Sequence, residues 1–507
     1  MTVMEKRIMN IVNFVRGIEP RRERDLYTPV AKQIEIMKSY DLPTTFLLQY
    51  DAMRRDDFKR LFCENKNDSH IEIGVWFENC RELIESVGLI WNGRPGYDWD
   101  WYVNPGFLMA YTPEQREAIV DEVFRLYKEI FGEYPEVAGS WLLDSHSMNY
   151  MAEKYGMKAF CVCREQWAID AYSLWGGYYN GGYYPSKNNM LCPAQTRGNQ
   201  IDVPTFRMLG IDPIHCYQDK EFREILGIKD CWTMEPAGPS GKSDSVMDWY
   251  FKEYYTLPCL SHSHATTGQE NSFGWEKMEE GYILQIEKLV ALRREGVVSL
   301  EKLGDTGEDY KRAFDLTPPA ALSALSDFSG QDYKSVWYSS RAYRANLFVH
   351  GDRLFFRDIN KFDETYTERY LHAPCESWSA LYDNLPVLDS RLWSDGDRKS
   401  GLFFEKRVSE IAISEEESRL TVSIDFEDGT RGRIVFGEGS IDFENCGACR
   451  FEIGAPDAET TFSMQGDGLR YTHNGFTYSL TVSGEILPTE SGFAVGESAD
   501  CWTLKLC

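Results

Sequence analysis

Residues 137–162 read VAGSWLLDSHSMNYMAEKYGMKAFCV. Two β-prone runs, Val137 to Leu142 and Lys158 to Val162, enclose the helical stretch SHSMNYMAEKYG, and one acid, Asp144, stands where the first run gives way to the helix. Strand, helix and strand in succession form the repeating unit of a parallel α/β sheet or barrel. The alternation extends in both directions. Further β-prone runs lie at Ile8 to Val15, Thr45 to Tyr50, Ile71 to Phe77, Thr205 to Leu209 and Leu257 to His262. Between them run amphipathic helices such as TPVAKQIEIMKSY, with Val30, Ile34 and Met37 at helical spacing, and TPEQREAIVDEVFRLYKEIFG, which opens with Thr112 and Pro113. The expected fold class is α/β: a (β/α)7-type, distorted TIM-like barrel over residues 1–325.

The pattern changes at TPPAAL. RANLFVHGDRLFFRDI reads as a β-hairpin around Gly351 and Asp352, and RLTVSIDFEDGTRGRIVFG as another around Asp428 and Gly429. Residues 326–507 are therefore expected to form an all-β sandwich. Two irregular insertions interrupt the first half: 89–111, with GYDWDWYVNPG, and 172–200, with LWGGYYNGGYYPS. Long loops in a regular scaffold usually carry function.

Composition restricts the partners. The 507 residues carry a formal charge of −26, which repels nucleic-acid phosphates and anionic membrane surfaces. No apolar run approaches the roughly 20 residues of a membrane span. Thirteen Cys, an odd number spread along the chain, read as reduced thiols, and the N-terminus lacks the apolar stretch of an export signal, so a cytoplasmic protein is expected. Aromatic residues make up 14% of the chain, which suits flat ligands offering CH faces and hydroxyls, sugars above all. Oligomeric state is not legible.

In parallel α/β barrels the functional groups gather where strands end and loops emerge. Read in that way, the strand ends present Arg16 and Glu19, Gln49 and Asp51, Trp76 and Glu78, Trp141, Asp144 and His146, and finally His262, His264 and Glu270. Each has a plain structural reading as well, and Asp144 in particular suits a helix cap.

The segment 139–162 resembles the strand–acid–helix–strand of family 57 glycoside hydrolases, in which a Trp-x-x-acid motif supplies the nucleophile. Trp141 and Asp144 match it, although the family normally has Glu at the second position. YDLPTTFLLQY and HIEIGVWFE resemble strands that those hydrolases share with NodB-type polysaccharide deacetylases. The latter bind a divalent metal through an acidic pair and a His-x-x-x-His. Here Arg16 occupies the acidic region, and Trp76 and Cys80 fall where the two His would be. The resemblance therefore implies glycoside hydrolysis without a metal or other cofactor, with Asp144 as nucleophile or base and Asp212, Glu270 or Glu78 as its carboxyl partner.

Two rival readings remain: a deacetylase with metal ligands displaced to His262 and His264, and a non-catalytic carbohydrate-binding protein on a degenerate barrel. Cys446-Gly-Ala-Cys449 is expected to be a turn with incidental thiols, and Cys161 and Cys163 to be core residues. No phosphate-binding Gly loop and no Gly-x-Ser-x-Gly elbow occurs. In LWGGYYNGGYYPS, Trp175, Tyr179 and Tyr184 are expected to offer a stacking wall to a sugar, with loop packing as the alternative.

Overall fold

The structure, a computed structural model, describes residues 6–169, 171–208, 210, 234–395, 397–496 and 500–507. Strands are numbered along the chain. β1 (Lys6–Val15), β2 (Thr44–Leu48), β3 (Ile71–Trp76), β4 (Val137–Gly139) and β5 (Ala159–Val162) come first. The short strands β6 (Gln166–Ile169), β7 (Tyr172–Leu174), β8 (Gly182–Tyr183), β9 (Pro185–Ser186) and β10 (Asn189–Pro193) precede β11 (Thr205–Arg207) and β12 (His262–Thr267). The main sheet runs β12-β1-β2-β3-β4-β5-β11 with every pair parallel. β13 (Ser299–Glu301) adds parallel to β1, and β8 adds antiparallel to β11.

The sheet curls until its edges face each other: Phe206 of β11 lies 4.7 Å, centroid to centroid, from His264 of β12. Among the described residues no backbone ladder joins those edges. The strands are apolar because helices cover the outside of the sheet while its inside is filled by side chains. The helix Pro113–Phe131 starts in a capping box formed by Thr112 and Gln115 and stops at Gly132, which takes the left-handed conformation at φ 93°. No helix among the described residues is long and apolar enough to cross a membrane.

β12 departs from the sequence expectation. The run Leu257 to His262 is not a strand, since Leu260 sits at φ 71°, and the strand is instead His262–Thr267. His262 and His264 therefore lie at its beginning, paired in register with Lys6 and Ile8, and not at the end where loops emerge.

In the second half, β14 (Ala320–Ala324) pairs along its length with β15 (Tyr333–Ser339), and β16 (Tyr343–His350) and β17 (Arg353–Lys361) continue the antiparallel order. The hairpin expected around Gly351 joins β16 to β17, and the one around Gly429 joins Arg419–Phe426 to Arg431–Phe436. A second antiparallel sheet, from Val408–Glu416 to Cys501–Lys505, packs on the first, with Phe356 of one sheet 5.8 Å from Phe436 of the other. Cys446 and Cys449 are buried there as free thiols.

Residues 366–384 leave this second half and lie back on the first. Their strand β18 (Ala380–Tyr382) pairs parallel with β7, Glu368 N donates to Asn188 O, Cys375 N to Met109 O and Val103 N to Trp378 O. The two halves are thus held together by backbone as well as side chains.

Candidate active site at the strand ends

Three aromatic rings floor the end of the sheet where β1, β3 and β4 finish: Phe14 lies 4.2 Å from Trp76 and 5.4 Å from Trp141. Above them Arg16, the residue after β1, is almost fully buried and gathers the acids of neighbouring strand ends. Its Nη2 donates to Glu78 Oε2 at 3.0 Å and lies 3.0 Å from Glu270 Oε2, while Nη1 is 4.0 Å from Glu19. Glu78 also accepts from Trp76 Nε1 at 3.0 Å and from Gln49 Nε2. Glu270 accepts from Ser272 Oγ, and Glu19 from Arg21. Burial pushes the Glu19 carboxyl up, but its bonds to Arg21 and the charge of Arg16 outweigh that and hold it below the usual range.

Asp51 begins the turn after β2 and faces backbone N–H groups of Gly17, Ile18 and Ala52. Burial dominates, and its carboxyl is pushed up to about 6. Arg16 is also stacked, 4.0 Å over the ring of Trp99 from the insertion 89–111. Arg21 and Arg94 cover Trp101, and rings continue from Trp101 through Tyr102 to Trp378, which is 52% exposed.

Beside this cluster opens a small hollow lined by Phe14, Trp141, Met208, Met234, Glu235 and Thr267. Glu235 is half-buried on its wall and accepts from Gln269 Nε2 at 3.0 Å. Gly268 closes the strand end at φ 133°, where a Cβ would fall 1.8 Å from Val12 O, so only glycine fits between β12 and β1.

Thus Arg16, Glu19, Gln49, Trp76, Glu78 and Glu270 come together, with Asp51 alongside and Trp141 on the hollow. The remaining expected residues lie elsewhere. Asp144 caps the helix Ser145–Tyr155, accepting from Ser147 N at 2.9 Å, and pairs with Arg116 at 3.0 Å with both side chains fully buried. Arg116 in turn donates to Tyr370 O at 2.7 Å, so Asp144 helps clamp the returning segment 366–384. That segment places Glu368 nearby, accepting from Ser145 N and Met190 N, each at 2.8 Å. Burial, then the charge of Asp144, pushes Glu368 up to about 8. His146 pairs with Glu117 at 3.0 Å on the outer helices.

His262 and His264 are buried at the opposite end of the sheet. His264 Nε2 meets Asn10 Oδ1 at 2.7 Å, and burial lowers both imidazoles, His262 to about 3. Among the described residues no group of three or more His, Cys, Asp or Glu is placed to hold a metal ion. Asp212 lies outside the described residues.

The aromatic loop faces inward, not toward the hollow. Tyr179 stacks on Trp337 of β15 at 3.7 Å, Tyr184 donates to Phe314 O at 2.9 Å and Trp175 Nε1 donates to Asp389 at 2.6 Å. All three rings are buried, which corrects the stacking wall to a domain seam. Sequence reading also missed Glu235, because it lies far beyond the end of β11. The only signal was a lone carboxylate between Met234 and Pro236.

The model of a family described as a domain of unknown function with solved structure (DUF3863) matches residues 96–279. No match was found among curated proteins. Among solved structures, a candidate glycoside hydrolase/deacetylase from Parabacteroides distasonis is similar at 13% identity and TM-score 0.52, over 76% of this chain and 91% of that one. A candidate polysaccharide deacetylase from Mycobacterium smegmatis is similar at 12% identity and TM-score 0.35, over 62% of this chain and 93% of that one. A GH57-type branching enzyme from Pyrococcus horikoshii is similar at 11% identity and TM-score 0.32, over 59% and 69%. At these identities the first likeness speaks for the fold.

Proposed function

We propose that the chain is a carbohydrate-active hydrolase that cleaves glycosidic bonds at the strand-end cluster, on a sheet curled into a distorted barrel. One observation carries the reading: two buried carboxylates from different strand ends, Glu78 and Glu270, share a single guanidinium nitrogen beside an aromatic-lined hollow. Glycosidases need two carboxyl groups, one beside the anomeric carbon and one beside the leaving oxygen.

Glu78, fixed by Arg16, Gln49 and Trp76, is the least able to move and holds Arg16 in place. Glu270, held by Arg16, faces the anomeric carbon. Glu235, half-buried among Phe14, Trp141, Met208 and Met234, gives its proton to the leaving oxygen. The likeness in fold to the candidate glycoside hydrolase/deacetylase from Parabacteroides distasonis supports a carbohydrate substrate.

The leaving group separates these roles. Glu235→Gln is expected to slow hydrolysis of oligosaccharides by about 10²–10⁴-fold but to spare aryl glycosides, whose phenolate departs without a proton. Glu270→Gln is expected to slow both. Equal loss on both substrates in Glu235→Gln removes it as the acid.

One observation favours a second reading, non-catalytic glycan binding: Arg16 already neutralises part of the acidic cluster. Retention of an oligosaccharide with no reducing ends released over long incubation would select it.

A further inference from the structure

Cations crowd the rim of the strand-end cluster. They come from the run RRER at 21–24, shortly after β1, and from Lys277 in the first turn of the helix Trp275–Arg294. Arg21 is engaged: it donates to Glu19 Oε1 at 2.7 Å and lies 4.9 Å over Trp99, the ring on which Arg16 is stacked. Arg24 Nη1 lies against Gly274, where a Cβ would fall 2.8 Å from it, shortly after Glu270 in the chain. Lys277 Nζ lies 4.7 Å over Phe273. Arg22 and Lys277 are exposed and Arg24 is half-buried. Among the described residues none of these three has an ion-pair partner, and the adjacent acids Glu23 and Glu276 form no ion pair with them.

The local field is positive even beside the acids of the cluster. Burial, then the charges of Arg24 and Arg21, hold the Arg22 guanidinium below its ordinary range, although Glu19 and Glu270 pull the other way. Burial, then Arg22 and Arg24, lower the Lys277 ammonium likewise, against the opposing charge of Glu235. The helix Trp275–Arg294 adds to the field, because it starts here without a side-chain cap and its first N–H groups carry partial positive charge. Like charges held together repel one another, so the arrangement is unfavourable in the protein alone. A chain of formal charge −26 has carboxylates to spare, and yet these cations are left without one.

We propose that the missing anion belongs to the substrate: the strand-end cluster acts on an acidic glycan, and Arg22, Arg24 and Lys277 hold a carboxylate or sulfate on a glycosyl unit beside the bond that is cleaved. Guanidinium and ammonium groups make their strongest hydrogen bonds to such oxyanions. A positive rim also overcomes the repulsion that the rest of the chain exerts on an anionic ligand, since a cleft lined by one sign of charge focuses the field at its mouth. The glycan class rests on the hydrolytic reading of the strand-end site; the positive rim does not.

The test uses the full-length protein and pairs of short oligosaccharides that differ only in charge. Oligomers of galacturonate, of mannuronate and of sulfated galactose are each compared with their carboxyl-reduced or desulfated counterparts by titration calorimetry. At least one acidic member is expected to bind about tenfold or more tighter than its neutral counterpart, the scale of one hydrogen bond to a charged group. The preference should shrink as salt rises from about 0.05 M to about 0.5 M. It should vanish in the triple variant Arg22→Gln, Arg24→Gln, Lys277→Gln, with affinity for the neutral member unchanged. Preference for a uronate assigns a carboxylate, preference for the sulfated oligomer assigns a sulfate ester, and either supports the proposal. Neutral members bound as tightly as acidic ones, no binding by any member, or a preference that survives salt or the triple variant overturns it. So does an oligothymidylate bound in preference to every saccharide. Should the triple variant not fold, Arg22→Gln and Lys277→Gln, each at an exposed position, decide together with the wild-type salt series. Acid-selective binding with no hydrolysis of any member removes the proposed function and keeps this inference. Faster hydrolysis of neutral members than of acidic ones keeps that function and removes this inference.

Discussion

Arg16 is the residue on which the strand-end cluster turns. It is in direct contact with both Glu78 and Glu270, and Glu19 lies at its other nitrogen. Removing one partner of a buried ion pair costs about 3–5 kcal/mol, chiefly because the remaining charge is left in a poor solvent. Arg16→Met keeps the stem and deletes the charge, and is expected to lower unfolding free energy by at least about 3 kcal/mol on that basis. Adding Glu78→Gln and Glu270→Gln should restore part of the loss, because the uncompensated charges go with them. Chemical denaturation of the single and triple variants checks this. A triple variant no more stable than Arg16→Met would mean that packing over Trp99, not charge, is what Arg16 supplies.

At the level of elements, the loop LWGGYYNGGYYPS is a structural joint. Gly177 shows how tight it is: a Cβ there would fall 2.3 Å from Arg207 Nη1. Arg207 Nη1 pairs with Glu165 at 2.9 Å, and the same Glu165 oxygen takes Arg344 of β16 at 2.7 Å. Gly177→Ala must therefore displace a network joining β5 and β11 to the second half. Tyr179→Ala deletes the stack on Trp337 and is expected to cost about 3–5 kcal/mol, as large aromatic truncations do. Both variants should split one calorimetric transition into two, whereas a single transition in each would show that the segment 366–384 alone couples the halves. The limits of sequence reading follow from the same elements. Strands at 8–15, 45–50 and 71–77 were legible because apolar runs between helices have few other uses, and both hairpins because Gly351 and Gly429 mark their turns. β12 was not, since HSHATT is polar and owes its burial to neighbours, while TLPCL only imitates a strand. The strand-end acids were found by position, but that Asp144 turns toward Arg116 and Glu78 toward Arg16 depends on partners 28 and 62 residues away. The inward face of the aromatic loop depends on Trp337 and Asp389, partners more than 150 residues further along the chain.

Across the whole molecule, several acids are buried at a cost that varies with pH. Burial pushes Asp51 up to about 6, Asp389 up to about 7 and Glu368 up to about 8, from ordinary values of 3.8, 3.8 and 4.5. Between its ordinary and folded values each group holds more proton in the folded chain than in the unfolded one, so raising the pH through that window favours unfolding. Their contributions to stability are accordingly whole near pH 4 and lost by about pH 8, the last of them at Glu368. The formal charge of −26 acts in the same direction, since self-repulsion grows as acids ionise. Salt distinguishes the two causes: it screens repulsion between exposed charges over about 10 Å at 0.1 M but leaves the desolvation of a buried carboxylate almost untouched. The denaturant midpoint is expected to fall between about pH 5 and pH 8, and added salt should recover only part of that fall. Glu368→Gln should flatten its upper end, because a neutral amide between Ser145 N and Met190 N has no proton to lose. If the wild-type slope vanishes in salt, or Glu368→Gln leaves the slope above about pH 6 unchanged, surface repulsion rather than the clamp at Asp144, Arg116 and Glu368 governs the response.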